Sequence, residues 1–206
     1  MSQSNVVLRF EDVVFGYTQE NRIMDEANFS VRQDAKFTLM GQNGAGKSTL
    51  FKLITGELEP DRGNIHFAKG ATIATSKQVM AREHLTQTVR EYFEHAFEEV
   101  PRNIDKLIAD ALEVVNFKVD YDKIVGELSG GQQARLLLAY AVIQQPDILL
   151  LDEPTNNLDR EGIDHLTVFL IMYPKTVLVI SHDADFLNSF TEGVLHLDVF
   201  TGKIEK

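Results

Sequence analysis

The sequence contains no cysteine. That excludes a disulfide scaffold and a thiolate metal site, and it fits a reducing compartment. No apolar run reaches membrane-spanning length; the longest, Leu136 to Ile143, is far too short. The opening residues MSQSNVVLRFED lack the basic-then-apolar order of a secretory signal, so a cytoplasmic protein with no direct membrane insertion is expected. Basic residues are scarce. With 20 Lys and Arg against 31 Asp and Glu, the net charge of −11 argues against a nucleic-acid surface spread over the whole chain. The imbalance is steepest in residues 151–206, four basic against ten acidic, which reads as a solvated acidic face. No repeat, low-complexity tract or linker interrupts the chain, so residues 1–206 are read as one domain. What is present is the balance of a folded globular protein, 44% apolar and 25% charged, with enough chain to bury a core.

The hydrophobic pattern changes twice along the chain. The beginning reads as short strands at Val6–Phe10, Val13–Tyr17, Asn28–Val31 and Phe37–Met40. A glycine-rich turn then leads into a helix over Lys47–Thr55, followed by strand-like Asn64–Phe67 and Ala71–Thr75. From about 82 to 145 the period becomes helical. Leu85, Val89, Tyr92, Ala96 and Phe97 make one stripe, and Ile104, Leu107, Ile108, Ala111, Leu112 and Val115 a cleaner one. Thr88 with Glu91 three residues on is a capping-box signature. Asp147–Leu151 and Thr176–Ile180 are short, wholly apolar runs of the kind buried parallel strands need, with a helix over Asp159–Tyr173 between them. The expectation is an α/β domain with an N-terminal β-rich part and a helical insertion.

Gly41-Gln42-Asn43-Gly44-Ala45-Gly46-Lys47-Ser48 satisfies G-x-x-x-x-G-K-[ST] between an expected strand and an expected helix. Such a loop turns its backbone N–H groups inward, and the helix start behind it favours negative charge. Lys47 would reach the β- and γ-phosphates of a nucleotide, the Ser48 hydroxyl would ligate Mg²⁺, and Thr49 would add a hydroxyl to a nearer phosphate. The alternative is a plain glycine turn before an amphipathic helix, but the full pattern arises by chance in under about one in a hundred chains of this size.

Ile148–Leu151 leads into Asp152-Glu153-Pro154, two acids where a buried strand ends. Open α/β sheets bind ligands at the carboxyl ends of their strands. Asp152 there can hold Mg²⁺ through its water shell, and Glu153 can polarise the water that attacks a γ-phosphate. Read alone, Asp-Glu-Pro serves equally well as a strand-ending turn. Leu128-Ser129-Gly130-Gly131-Gln132 precedes the helical run Gln133–Ile143. A Ser hydroxyl and two glycines at a helix start make either a simple Ser cap or a second anion nest, and a second nest implies a nucleotide shared between two domains.

With these motifs in this order, the sequence resembles the ABC ATPase family from Val6 to about Ile204. LSGGQ matches that family's signature, placed between the P-loop and D-E-P. The resemblance implies a P-loop NTPase core with an N-terminal antiparallel β-subdomain and a helical insertion carrying the signature, ATP as nucleotide and Mg²⁺ as its ion. It also implies roles. Tyr17 looks like the aromatic that stacks on adenine, Gln78 like the glutamine that senses Mg²⁺ and the attacking water, and His182 like the γ-phosphate sensor. Asn156-Asn157-Leu158-Asp159 looks like the loop that crosses to the opposite subunit. Lys47, Ser48, Asp152, Glu153, Gln78 and His182 would line one side of a site that Ser129 to Gln132 of a facing cassette closes.

Asp152–Asp159 with Ser181–Leu187 is similar to the ABC-F branch, which lacks membrane domains, usually carries two cassettes in one chain, and has many members acting on the ribosome. Ala184 and Asn157 depart from that branch, which usually has a basic residue at the first and commonly a His at the second. One cassette is read here, so the expected partner is a second cassette, either a copy of this chain or a tandem domain that makes this the N-terminal half. The ribosome is the expected larger partner. The rival expectations are an ATP-binding subunit docked on separate transporter membrane subunits and a regulatory pseudo-cassette. Intact Lys47, Asp152, Glu153 and His182 speak against the last.

Overall fold

The computed structural model describes residues 5–18, 21–42, 44–77, 79–198 and 204–205. Among them are two sheets and six α-helices. The smaller sheet is antiparallel, with β1 (Val6–Thr18) between β2 (Asn21–Arg32) and β4 (Arg62–Phe67). The larger has six strands in the order β5-β6-β7-β3-β8-β9: β3 is Lys36–Met40, β5 Ile73–Thr75, β6 Ile148–Asp152, β7 Thr176–Ile180, β8 Gly193–Leu197 and β9 Ile204–Glu205. Its pairs are parallel except β8 with β9. This is the mixed α/β architecture expected, with an antiparallel β part beside a parallel core.

Alternation in the central strands shows why two layers cover the larger sheet. Ile148 and Leu150 of β6 and Leu178 and Ile180 of β7 pack on one side, in a core shared with β1, β2 and α1 (Lys47–Thr55). Leu149, Leu151, Val177 and Val179 point the other way, into a core with α2 (Val89–Glu94), α3 (Ile104–Val114), α4 (Gly130–Ile143), α5 (Arg160–Met172) and α6 (Ala184–Phe190). Every residue of β7 is buried, as a parallel strand covered on both faces requires. Since β6, β7 and β3 are adjacent and parallel, the chain leaves all three at the same end of the sheet.

Local chemistry explains where the elements depart from the sequence pattern. β1 runs unbroken through Glu11 and Asp12, where the pattern shows a gap. A register shift falls there, Asp12 takes a left-handed φ of 50°, and Asn28 replaces a ladder partner: its Oδ1 accepts from the Asp12 amide at 3.1 Å and its Nδ2 donates to Asp12 Oδ1 at 2.7 Å. β5 begins at Ile73 rather than Ala71, since the Thr72 amide and hydroxyl both donate to Asp147 Oδ2. α2 ends at Glu94, short of its apolar stripe, because the Ala96 and Phe97 amides tighten onto the carbonyls of Phe93 and Glu94. α4 starts three residues before Gln133, its two glycines wound into the first turn by the Ser129 cap. The Thr88–Glu91 capping box is formed as expected. No helix among the described residues is long and apolar enough to cross a membrane.

Candidate functional site

The loop after β3 wraps the start of α1. Gly46 caps that helix at φ 93°, and the first intrahelical amide is Leu50, donating to the Gly46 carbonyl at 2.9 Å. The amides of Lys47, Ser48 and Thr49 therefore have no acceptor inside the helix, the condition for holding an anion. Gly46 is required by space as well as by φ: a Cβ there would lie 2.0 Å from Ile23 Cγ2. Lys47 Nζ donates to the carbonyls of Gly41 at 2.8 Å and Gln42 at 3.2 Å, so its ammonium lies over the loop rather than along the helix.

The ends of β6 and β7 bring in the acids and the histidine. Ser48 Oγ donates to Asp152 Oδ2 at 2.9 Å, and His182 Nε2 stands 3.3 Å from Glu153 Oε1. Glu153 adopts φ 50°, left-handed for a residue that is not glycine, with its amide tied to the Ile180 carbonyl at 2.8 Å. Strain of this kind costs about 1–2 kcal/mol and persists where the surroundings over-determine it. The result aims an acid into the cleft with its side chain only 19% exposed. On the other side, the exposed Tyr17 ring packs edge-on against Phe15, and its hydroxyl lies 3.2 Å from Thr49 Oγ1.

One cleft of about 560 Å³ gathers Tyr17, Ile23, Gly44, Gly46, Lys47, Ser48, Thr49, Asp152, Glu153, Ile180 and His182. Gly41 and Ala45 lie in the loop beneath it, Ala45 buried, and its amide donates to Gln42. Ser48 and Asp152 present two hard oxygens. That set suits Mg²⁺, which takes one or two protein oxygens and completes its shell with phosphates and water. A second cavity of about 330 Å³ shares Asp152 and Glu153 and runs back between Ser76, Lys77, Ala134, Pro154, Asn156, Asn157 and Leu158. The expected sites Asn43 and Gln78 lie outside the described residues.

The signature does not join this cleft. Ser129 caps α4, its Oγ accepting from the Gln132 amide at 3.4 Å while Gln132 Oε1 accepts from the Ser129 amide at 3.0 Å. Gly130 and Gly131 are exposed, with nothing within 4 Å of where a Cβ would stand. The motif is thus a Ser-capped helix with an exposed first turn, and none of its residues lines the P-loop cleft.

Two residues of the cleft and one beyond it were not read from the sequence. Ile23 and Ile180 line the cleft among ordinary core aliphatics, with no pattern to set them apart. Arg135 is different, being the one charged residue in α4, a signal that a charge sits where burial is expected.

A family model described as "ABC transporter" matches residues 24–156. The chain belongs to that family. This cassette is 36% identical over 196 residues to a putative ATP-binding protein YdiF of Bacillus subtilis, covering 94% of the chain and 30% of the relative. To the probable ATP-binding protein YheS of Escherichia coli K12 it is 37% identical, covering 93% and 30%. To the energy-dependent translational throttle protein EttA of Haemophilus influenzae it is 36% identical, covering 85% and 32%. The chain thus spans about three tenths of the length of these curated relatives. Within the family, the cassette is most like the ABC-F branch. Its fold matches a dimeric bacterial ABC transporter cassette at a TM-score of 0.80 and 21% identity, covering 97% of each chain. It also matches an ATP-binding subunit of an ABC transporter at 0.84 and 21%, covering 97% of this chain and 88% of that one.

Proposed function

We propose that this cassette is an ATPase whose hydrolytic site is completed by a second cassette, working in the ABC-F manner on translation or the ribosome. One observation carries the reading: Lys47, Ser48, Asp152, Glu153 and His182 converge on one cleft while the signature faces elsewhere. The first-turn amides of α1 and Lys47 would hold the phosphates, and Tyr17 would offer its exposed ring to the base. Ser48 and Asp152 would hold Mg²⁺, which when bound neutralises charge on the β- and γ-phosphate oxygens. Glu153 would orient a water in line with the γ-phosphorus and take its proton. The new P–O bond forms as the bond to the β-phosphate oxygen breaks, giving ADP and inorganic phosphate. His182, beside Glu153, would donate to the γ-phosphate. Ser129 to Gln132 of the facing cassette would close the site, so ATP joins the pair and its cleavage releases it. Asn43 takes its proposed role in the phosphate loop from the motif alone, and Gln78 its proposed role as water sensor from the family resemblance alone.

The reading fits the dimeric cassette whose fold this chain shares and the translational name of the similar EttA. Its test is size-exclusion chromatography of wild type and Glu153→Gln with ATP. The variant should trap nucleotide and run as a pair, with itself or with the second cassette of the same protein. If it does neither, the shared site is wrong.

The second reading, an ATP-binding subunit docked on separate transporter membrane subunits, draws on the fold match to such a subunit. Sedimentation of ATP-locked Glu153→Gln from a lysate separates the two. Co-migration with ribosomes supports the first, and co-migration with membranes the second.

A further inference from the structure

Arg135 sits at the centre of a three-way junction. Its side chain is only 15% exposed. One guanidinium nitrogen donates to the carbonyls of Val115 at 3.1 Å and Asn116 at 2.9 Å, where the chain leaves α3. The other reaches Asp159 Oδ2 at 3.1 Å. The remaining oxygen of Asp159 accepts from the Gly162 amide at 2.9 Å and caps α5. These contacts hold the Asp159 carboxyl below its ordinary range, the Gly162 amide first and Arg135 second. A planar fork with donors on two sides is what such a junction needs, and a lysine could serve only part of it.

The two elements joined are telling. Arg135 lies in α4, fewer than two turns after Ser129, and Asp159 ends the loop that begins one residue after Glu153. If the site is shared between cassettes, the signature nest at the start of α4 faces the neighbour. Asn156, Asn157 and Leu158 line one cavity with Ala134 and Leu138 of α4 and with Asp152 and Glu153. We propose that Arg135 is a positioning residue that locks these two elements into one register, so that they meet the facing cassette together. The inference rests on the shared-site reading. Arg135 lines neither the P-loop cleft nor the cavity behind it, so it acts through α4 and the 154–159 loop.

The experiment uses the full chain in the Glu153→Gln background, adding Arg135→Gln, Arg135→Lys, Asp159→Asn or Arg135→Gln with Asp159→Asn. Asn caps a helix as well as Asp does, so Asp159→Asn keeps α5 while removing the ion pair. The association constant of the ATP-locked pair is read beside the affinity of the single cassette for a fluorescent ATP analogue. Arg135→Gln and Asp159→Asn should each weaken pairing by about ten- to a hundredfold. Nucleotide affinity should stay within about twofold, Arg135→Lys should restore part of the loss, and the double variant should be no worse than either single one. Unaltered pairing, losses that multiply, or an equal loss of nucleotide affinity would each overturn the proposal while leaving the shared site standing. Should Arg135→Gln fail to fold, Asp159→Asn carries the same decision. If Glu153→Gln itself never pairs, the shared site falls and this inference falls with it.

Discussion

Ser48 Oγ and Asp152 Oδ2 meet at 2.9 Å although 104 residues separate them, joining the first turn of α1 to the end of β6. The contact brings two hard oxygens, the proposed ligands of Mg²⁺, to one point beside the phosphate loop. Loss of one should therefore fall on the ion before the nucleotide. Ser48→Ala should raise the Mg²⁺ concentration for half-maximal turnover about tenfold, the scale of one hydrogen bond to a charged group. Binding of a fluorescent ATP analogue in EDTA should stay near the wild-type value. A Mg²⁺ titration that matches wild type would remove Ser48 from the ion site.

Glu153 is held at φ 50° in a place glycine would occupy without strain. Replacing it by Gly relieves about 1–2 kcal/mol of left-handed cost and adds about 0.5–1 kcal/mol of unfolded-state entropy. The expected outcome is a melting temperature equal to wild type or a few degrees higher, with turnover down by about 10²- to 10⁴-fold. Glu153→Gln should lose the same turnover and keep the strain. Thermal melts with phosphate release separate these effects; a clear loss of stability in Glu153→Gly would show that the left-handed turn is not strained.

Gly44 and Gly46 both have positive φ, 83° and 93°, yet their surroundings differ. Nothing lies within 4 Å of a Cβ built on Gly44, whereas one on Gly46 would overlap Ile23 Cγ2 at 2.0 Å. Gly44→Ala should cost about 1–2 kcal/mol, the backbone term alone. Gly46→Ala should add about 1–3 kcal/mol of overpacking. Pairing Gly46→Ala with Ile23→Ala should recover the overpacking and not the backbone cost. Urea unfolding of these three variants and of Ile23→Ala alone reads this, and simple additivity would show that Ile23 is not the obstacle.

The sequence carries the site in proportion to how local its chemistry is. Gly41–Ser48 is legible because one continuous turn needs glycine, lysine and serine at fixed spacing. Asp152-Glu153 is legible because an apolar strand ends in acid. The Arg135–Asp159 junction is long-range, and only the isolation of one charge in α4 hints at it. The first half of β2 was missed for a related reason: as an edge strand it alternates little, and its ladder to β1 is shifted at several points. The strand β8 also escaped the pattern, because its five residues mix exposed with buried positions where the equally short β7 is wholly buried, and so did the seven-residue helix α6.

Ser129 caps α4 and, under the shared-site proposal, would also meet the partner's nucleotide; one substitution confuses the two roles and two can divide them. Its hydroxyl caps α4, and Ser129→Ala should cost about 1 kcal/mol of stability for that reason alone. Ser129→Thr keeps a capping oxygen and places a methyl group on the face a partner's nucleotide would meet. With near-wild-type stability, Ser129→Thr should still weaken ATP-driven pairing in the Glu153→Gln background. Equal pairing by Ser129→Thr and wild type would leave Ser129 as a helix cap and nothing more.

Acid should undo the fold through carboxylates that native contacts hold low. Asp147 is lowered first by the Thr72 amide, then by Lys175 at 3.0 Å. Glu91 is lowered by the Thr88 amide of its capping box, and Asp159 by the Gly162 amide and Arg135. A carboxyl whose folded pKa lies below its unfolded one stabilises fully above the unfolded value, about pH 4, and that share is lost as pH falls through the folded value. Melting temperature should therefore be nearly flat from about pH 7 to pH 5 on account of these groups and drop below about pH 4. Asp147→Asn supplies the check, because its amide cannot titrate. The stability gap between wild type and Asp147→Asn should be widest near neutral pH and close as the wild-type carboxyl is protonated. A gap that stays constant down to about pH 2 would mean that Asp147 stabilises through shape rather than charge.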